Sequence, residues 1–76
     1  MVMTLDCLEP GQHAEVVALR SADPARLDRL GAFGLVPGSL VHLQQRQPAL
    51  IFRVGETELS VDRVVAREIL VKLPGG

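Results

Sequence analysis

Asp23-Pro24-Ala25-Arg26-Leu27-Asp28-Arg29-Leu30-Gly31-Ala32-Phe33-Gly34-Leu35-Val36-Pro37-Gly38-Ser39 reads as one short helix with a marked start, a marked stop and an immediate turn. The Asp23 carboxylate is suited to accept hydrogen bonds from the first free N–H groups of a helix. Pro24 then falls at the first helical position, where its missing N–H costs nothing. Leu27, Leu30 and Phe33 recur at helical spacing as one apolar stripe, with Arg26, Asp28 and Arg29 pointing elsewhere. Gly34 suits the left-handed conformation that closes a helix, and Pro37 prevents the helix from resuming. Pro37-Gly38 suits the centre of a type II turn, because its second position requires positive φ. The helix is therefore expected over about residues 24–33.

Outward from this segment, nearly everything reads as strand. Leu5 and Leu8 are spaced as one apolar edge of a short strand or turn within Thr4–Leu8. Glu9-Pro10-Gly11-Gln12 repeats the type II turn pattern. From His13 to Leu19, Ala14, Val16 and Ala18 alternate with His13, Glu15 and Val17, as in a strand with one face inward. Leu40–Gln45 alternates again, with Val41 and Leu43 inward and His42 and Gln44 toward water. Gln44-Gln45-Arg46-Gln47, closed by Pro48, reads as a loop or strand edge.

Gly55-Glu56 separates Leu50–Val54 from Thr57–Val61, and Gly at the first of two loop positions is the type II′ hairpin pattern. That loop sets Val54 opposite Thr57, Phe52 opposite Leu59 and Leu50 opposite Val61 on one face, with Arg53 opposite Glu58 on the other. A slip of one residue would destroy both sets together. Asp62 caps a helical turn over about residues 62–67. Ile69, Val71 and Leu73 then alternate with Leu70 and Lys72 as a last strand, before a frayed Pro74-Gly75-Gly76. Five or six short strands, one short helix and a helical turn before the last strand describe a mainly β chain, a small, strongly bent SH3-like barrel.

Seventy-six residues make one small domain over residues 1–76, and a domain of that size buries only about 60% of its unfolded surface. The 47% apolar content comes from Val, Leu and Ala, and the only aromatic residues are Phe33 and Phe52. With no Tyr or Trp to stack on bases and a net charge of −1, nucleic acid is not an expected ligand. One cysteine makes no internal disulfide and suits a reducing compartment. No apolar run approaches the roughly 20 residues of a membrane span, and the N-terminus lacks the pattern of a signal peptide. A cytoplasmic protein with no direct membrane insertion is expected.

The groups that would build an active site are scarce. Cys7 has no surrounding motif and reads more simply as a small apolar filler. Ser21, Ser39 and Ser60 have no nucleophile-elbow context, and Gly31 and Gly34 lie at the end of the helix, where no phosphate would sit. An enzyme is not expected, nor is a required cofactor. Cys7, His13 and His42 are the metal-ligating types available, and they would hold a surface Zn²⁺ or Fe²⁺. Their spacing matches no closed four-ligand site. The remaining surface of interest is the corner Leu35-Val36-Pro37 beside Arg26 and Arg29, where apolar and basic groups meet and a larger protein would dock. Leu35 and Val36 would equally serve to plug the barrel end.

These residues resemble the FeoA family, a small SH3-like module of bacterial ferrous-iron uptake. Leu5, Leu8, Gly11 and Val16 match its opening pattern. Arg29-Leu30-Gly31-Ala32-Phe33-Gly34-Leu35-Val36-Pro37-Gly38 is similar to its Arg-Leu-x-x-hydrophobic-Gly-Leu-x-Pro-Gly signature. Val41, Leu43, Pro48, Leu59-Ser60-Val61, Ala66, Ile69 and Val71 continue the match to the closing positions. The resemblance implies a cytoplasmic accessory of FeoB, a membrane ferrous-iron permease, recruited to the membrane by that partner. It carries over no catalytic residues, and its motif positions are structural types rather than metal ligands. The same domain occurs fused to metal-responsive DNA-binding repressors, for whose other parts this chain has no room. An edge near Leu40–Gln45 would permit a weak homodimer.

Overall fold

The computed structural model describes residues 1–74. In chain order the elements are β1 (Val2–Thr4), a 3₁₀ turn (Leu5–Cys7), β2 (His13–Leu19), α1 (Pro24–Ala32), β3 (Leu40–Gln45), β4 (Leu50–Val54), β5 (Thr57–Val61), α2 (Arg63–Arg67) and β6 (Ile69–Lys72). All ladders are antiparallel and the strand order is β1-β6-β2-β3-β4-β5. The N-terminal stretch is a strand followed by a 3₁₀ turn, and the i, i+3 spacing of that turn and its exit buries both Leu5 and Leu8. Pro74 lies in a turn, whereas Gly75 and Gly76 of the expected frayed end lie outside the described residues.

The turns behave as their residues require. Gly11 and Gly38 have φ of 94° and 93°, and the closing bonds run from Gln12 N–H to Glu9 C=O (3.0 Å) and from Ser39 N–H to Val36 C=O (2.9 Å). Gly55 has φ of 58° while Glu56 stays at negative φ, the type II′ arrangement. The hairpin register is the expected one throughout, with Arg53 Nη2 3.9 Å from Glu58 Oε2 on the outer face.

Helix α1 ends in a Schellman motif. Leu35 N–H donates to Leu30 C=O (3.0 Å) and Gly34 N–H to Gly31 C=O (2.9 Å), with Gly34 at φ 94°. The fold-back brings Leu35 into the core with Leu30. Phe33 is thereby displaced from the expected apolar stripe. As the cap residue it lies past the last full turn and is 49% exposed, because Leu35 occupies the buried place.

One core fills the bent sheet, from Leu5, Leu8, Val16, Leu43, Phe52 and Val71 among others. β2 carries a bulge between Val16 and Ala18, which inverts the alternation there. Val16 pairs with Val71 and Leu19 with Ile69 on the core side, so Ala18, expected inward, pairs with Leu70 on the outer side. Leu73 also falls outside the core, since β6 stops at Lys72. Among the described residues no ladder joins β1 to β5, so both keep an open edge, whereas the edge expected at Leu40–Gln45 is not one, because β3 pairs with β2 on one side and β4 on the other.

Candidate interaction surface

Asp23 positions α1 by accepting from Ala25 N–H at 3.0 Å and Arg26 N–H at 3.4 Å. One turn on, Arg26 donates to Glu68 Oε1 at 2.7 Å and ties α1 to the end of α2. The hydrogen bond to Glu68, and then the Glu68 charge, raise the Arg26 guanidinium above its ordinary value. Arg26 is thus committed to a structural partner. Arg29, one turn further along, is exposed and forms no ion pair among the described residues.

The corner after α1 is held internally. Ser39 Oγ donates to Gly34 C=O at 2.7 Å and accepts from Val36 N–H at 3.1 Å. Val36, 46% exposed, and the exposed Pro37 are presented on this braced loop. Leu35 is fully buried, so it belongs to the core and offers no surface to a partner. The expected docking corner therefore reduces to Val36 and Pro37, with Arg29 and the unanticipated Phe33 beside them. The sequence signal for Phe33 was its place directly before the helix-closing Gly34.

Two hollows flank Phe33. One, of about 260 Å³, lies between α1 and β5, with Arg29, Phe33, Leu59 and Val61 in its walls. The other, of about 480 Å³, lies toward the hairpin loop, with Phe33, Leu40, Val54 and Thr57 in its walls.

The metal-ligating types are distributed differently from the expectation. His13 and His42 are opposite each other on β2 and β3, and their rings stack in parallel with centroids 4.2 Å apart. The stack leaves His42 half-buried rather than fully toward water. Cys7, at the end of the 3₁₀ turn, is exposed with its Sγ 3.5 Å from Thr4 Oγ1. Among the described residues no three His, Cys, Asp or Glu side chains converge to hold a metal ion, so Cys7 does not complete a site with the histidines. The two rings are parallel to within 5°, so their in-plane nitrogen lone pairs lie in parallel planes.

Elsewhere, Asp6 accepts from Thr4 Oγ1 and lies 3.7 Å from Arg67 Nε, while Arg46 donates to the Asp6 carbonyl at 3.1 Å. These contacts pin the 3₁₀ turn to α2 and to the loop after β3. No helix among the described residues is long and apolar enough to cross a membrane.

The FeoA domain family matches residues 3–73. The chain belongs to the FeoA family. Among solved FeoA structures, that of Chlorobium tepidum is 28% identical, covering 97% of this chain and 72% of that one with a TM-score of 0.89. FeoA of Stenotrophomonas maltophilia is also 28% identical, with 92% and 89% coverage and a TM-score of 0.82. That protein was solved with zinc, as a prokaryotic SH3-domain protein put forward as a ferrous iron transport activating factor. IdeR of T. acidophilum shares the fold at 18% identity, with a TM-score of 0.85 over 95% of this chain and 34% of its own. No curated protein matches the sequence. These relatives bear out the mainly β, SH3-like architecture read from the turn pattern.

Proposed function

We propose that this FeoA-family chain, one domain over residues 1–76, is a non-enzymatic cytoplasmic accessory protein. It binds the cytoplasmic part of the FeoB permease, is recruited by it to the inner face of the membrane, and supports Fe(II) uptake. The observation that carries the reading, in a chain of the FeoA family, is an Arg29 without an ion pair among the described residues, beside half-exposed Phe33 and Val36 on a hydrogen-bonded corner. Exposed apolar and guanidinium groups fixed on a rigid frame are the usual make-up of a protein-binding patch. Nucleic acid is not a partner on this reading, and no cofactor is required.

A second reading, a transition-metal carrier or sensor using Cys7, His13 and His42, takes its support from the zinc-bound relative. The donor groups here do not fit it, since they do not converge. A pull-down of the purified chain against full-length FeoB and its soluble G-protein-like domain, with and without Fe²⁺ or Zn²⁺, separates the two. Metal-independent capture that survives the Cys7→Ala, His13→Ala, His42→Ala triple variant and is weakened by Arg29→Glu or Val36→Asp is expected. No capture under any condition, together with stoichiometric metal uptake, would overturn the adaptor reading.

A further inference from the structure

Strand β5 is an unfinished edge. In a two-residue hairpin the loop-flanking pair Val54–Thr57 exchanges both backbone hydrogen bonds, and alternate pairs Phe52–Leu59 and Leu50–Val61 do the same. The N–H and C=O groups of the intervening residues, Glu58 and Ser60, therefore point away from β4. Among the described residues neither finds a backbone or side-chain partner on that side. Natural edges are blunted by lysine, proline or a bulge. β5 has none of these, and its one charge, Glu58, is occupied with Arg53.

Helix α1 does not fill the gap beside this edge. It leaves the hollow of about 260 Å³ against Leu59 and Val61, and Phe33 also walls the second hollow of about 480 Å³, which lies at the hairpin-loop end between Leu40, Val54, Glu56 and Thr57. On this side of the hairpin the first hollow is walled by Leu59, Ser60 and Val61 and the second by Gly55, Glu56 and Thr57, so the two follow one another along β5 and the loop before it. Side chains an even number of residues apart on an added strand share one face, so two of them can be directed toward the two hollows. Arg29, Asp62 and the Glu68-bonded Arg26 stand around the first hollow and Glu56 beside the second, so the one cation at the first hollow without an ion pair among the described residues is Arg29.

We propose that β5 is a docking edge for an extended peptide segment of a partner protein, which adds a seventh strand. Its main chain bonds to Glu58 and Ser60, two apolar side chains an even number of residues apart enter the hollows on either side of Phe33, and an acidic side chain at one end meets Arg29. Main-chain bonds supply the affinity in such strand addition, while the hollows and the terminal charge select the sequence. The inference deepens the adaptor reading and rests on it for the partner's identity, though not for the geometry.

Two arms test it on the full chain. The first uses a dye-labelled ten-residue peptide of alternating valine and threonine with one terminal glutamate, followed by amide NMR. Shifts confined to Glu58, Ser60, Phe33 and Arg29 are expected. N-methylation of the peptide's edge-facing amides should weaken binding about tenfold or more, and Arg29→Glu should reverse the preference toward a lysine-ended peptide. Shifts centred elsewhere, no binding at millimolar peptide, or equal binding of the methylated form would overturn the proposal. Concentration-dependent shifts of Glu58 and Ser60 without peptide would assign the edge to a second copy of this chain and would equally overturn it.

The second arm measures hydrogen exchange of the Glu58 and Ser60 amides in the FeoB complex, where at least tenfold slowing is expected. A complex that forms while these amides exchange freely, and that Phe33→Asp and Ser60→Pro leave intact, sinks the strand-addition proposal but not the adaptor function. Peptide binding with no FeoB complex sinks the adaptor function alone. Phe33→Asp, at a half-exposed site, keeps the test readable if Ser60→Pro fails to fold.

Discussion

Leu35 and Val36 are neighbours in sequence, and the structure gives them opposite tasks that a pair of alanine substitutions separates. Leu35 is fully buried and closes the Schellman motif against Leu30, whereas Val36 is 46% exposed. Truncating a fully buried leucine costs about 2–5 kcal/mol, the lost transfer free energy plus a cavity. A chain of 76 residues is stable by about 4–11 kcal/mol at ordinary per-residue stability, so the change removes a large share of the total. A loss of about 3 kcal/mol at this size corresponds to a fall in Tm of roughly 12–24 °C. Val36→Ala, at the surface, should stay within about 0.5 kcal/mol, a shift of under about 4 °C. Thermal melts followed by far-UV circular dichroism suit a chain that has no Tyr or Trp. Equal shifts for the two variants, or a Leu35→Ala fall below about 4 °C, would refute the division of the corner into a core half and a surface half. If the division holds, loss of partner binding in Leu35 variants reports unfolding, and only Val36, Pro37, Phe33 and Arg29 inform on the interface.

Four further outcomes follow from the same structure. Gly38→Ala meets no atom within 4 Å of the new Cβ, so its cost is that of positive φ alone, about 1–2 kcal/mol by urea titration, and a neutral result would contradict the type II turn. Asp62→Ala removes the cap on Val65 N–H (2.9 Å) and should cost about 0.5–2 kcal/mol in the same titration. Arg26→Ala should lower Tm more in 20 mM than in 500 mM NaCl, since its bond to Glu68 is only partly shielded from solvent. Because Glu68 raises the Arg26 pKa, the stability from that shift is present below the unfolded-state value and is lost only as pH climbs through the higher folded value. Wild-type minus Arg26→Ala differences in Tm should accordingly be flat from pH 7 to 10, and a marked slope there would point to another group.

Local chemistry made much of the fold legible. Asp23, Pro24 and Gly34 bound the helix to within one residue of its observed end, because caps act through hydrogen bonds to adjacent backbone. Gly55-Glu56 determined the hairpin register outright, since a two-residue loop admits one pairing and the apolar faces agree with it. Fold-level identity was legible for the same reason: the family signature consists of turn glycines, prolines and core leucines, whose order is the architecture. The misplacements have a common source in geometry that crosses elements. Alternation along β2 could not show that a bulge at Val17 would send Ala18 outward and Leu19 inward. Helical spacing placed Phe33 on the buried stripe, but the fold-back through Gly34 handed that place to Leu35.

The candidate site was less legible than the fold. Arg29 and Val36 could be picked out as polar and apolar neighbours, but their availability depended on what the rest of the chain offered them. Arg26 found Glu68 across 42 residues, and among the described residues Arg29 found no acid. His13 and His42 came together through strand pairing, and Cys7 did not join them. The open edge of β5 and the hollows beside Phe33 follow from strand order and from the stand-off of α1, neither of which is encoded in any short stretch. By itself the sequence determined caps, turns, the hairpin and the family, because those rest on interactions between residues close along the chain. Tertiary structure alone decided which side chains stay exposed and unpaired, because burial and pairing depend on groups that meet only when the sheet bends around its core.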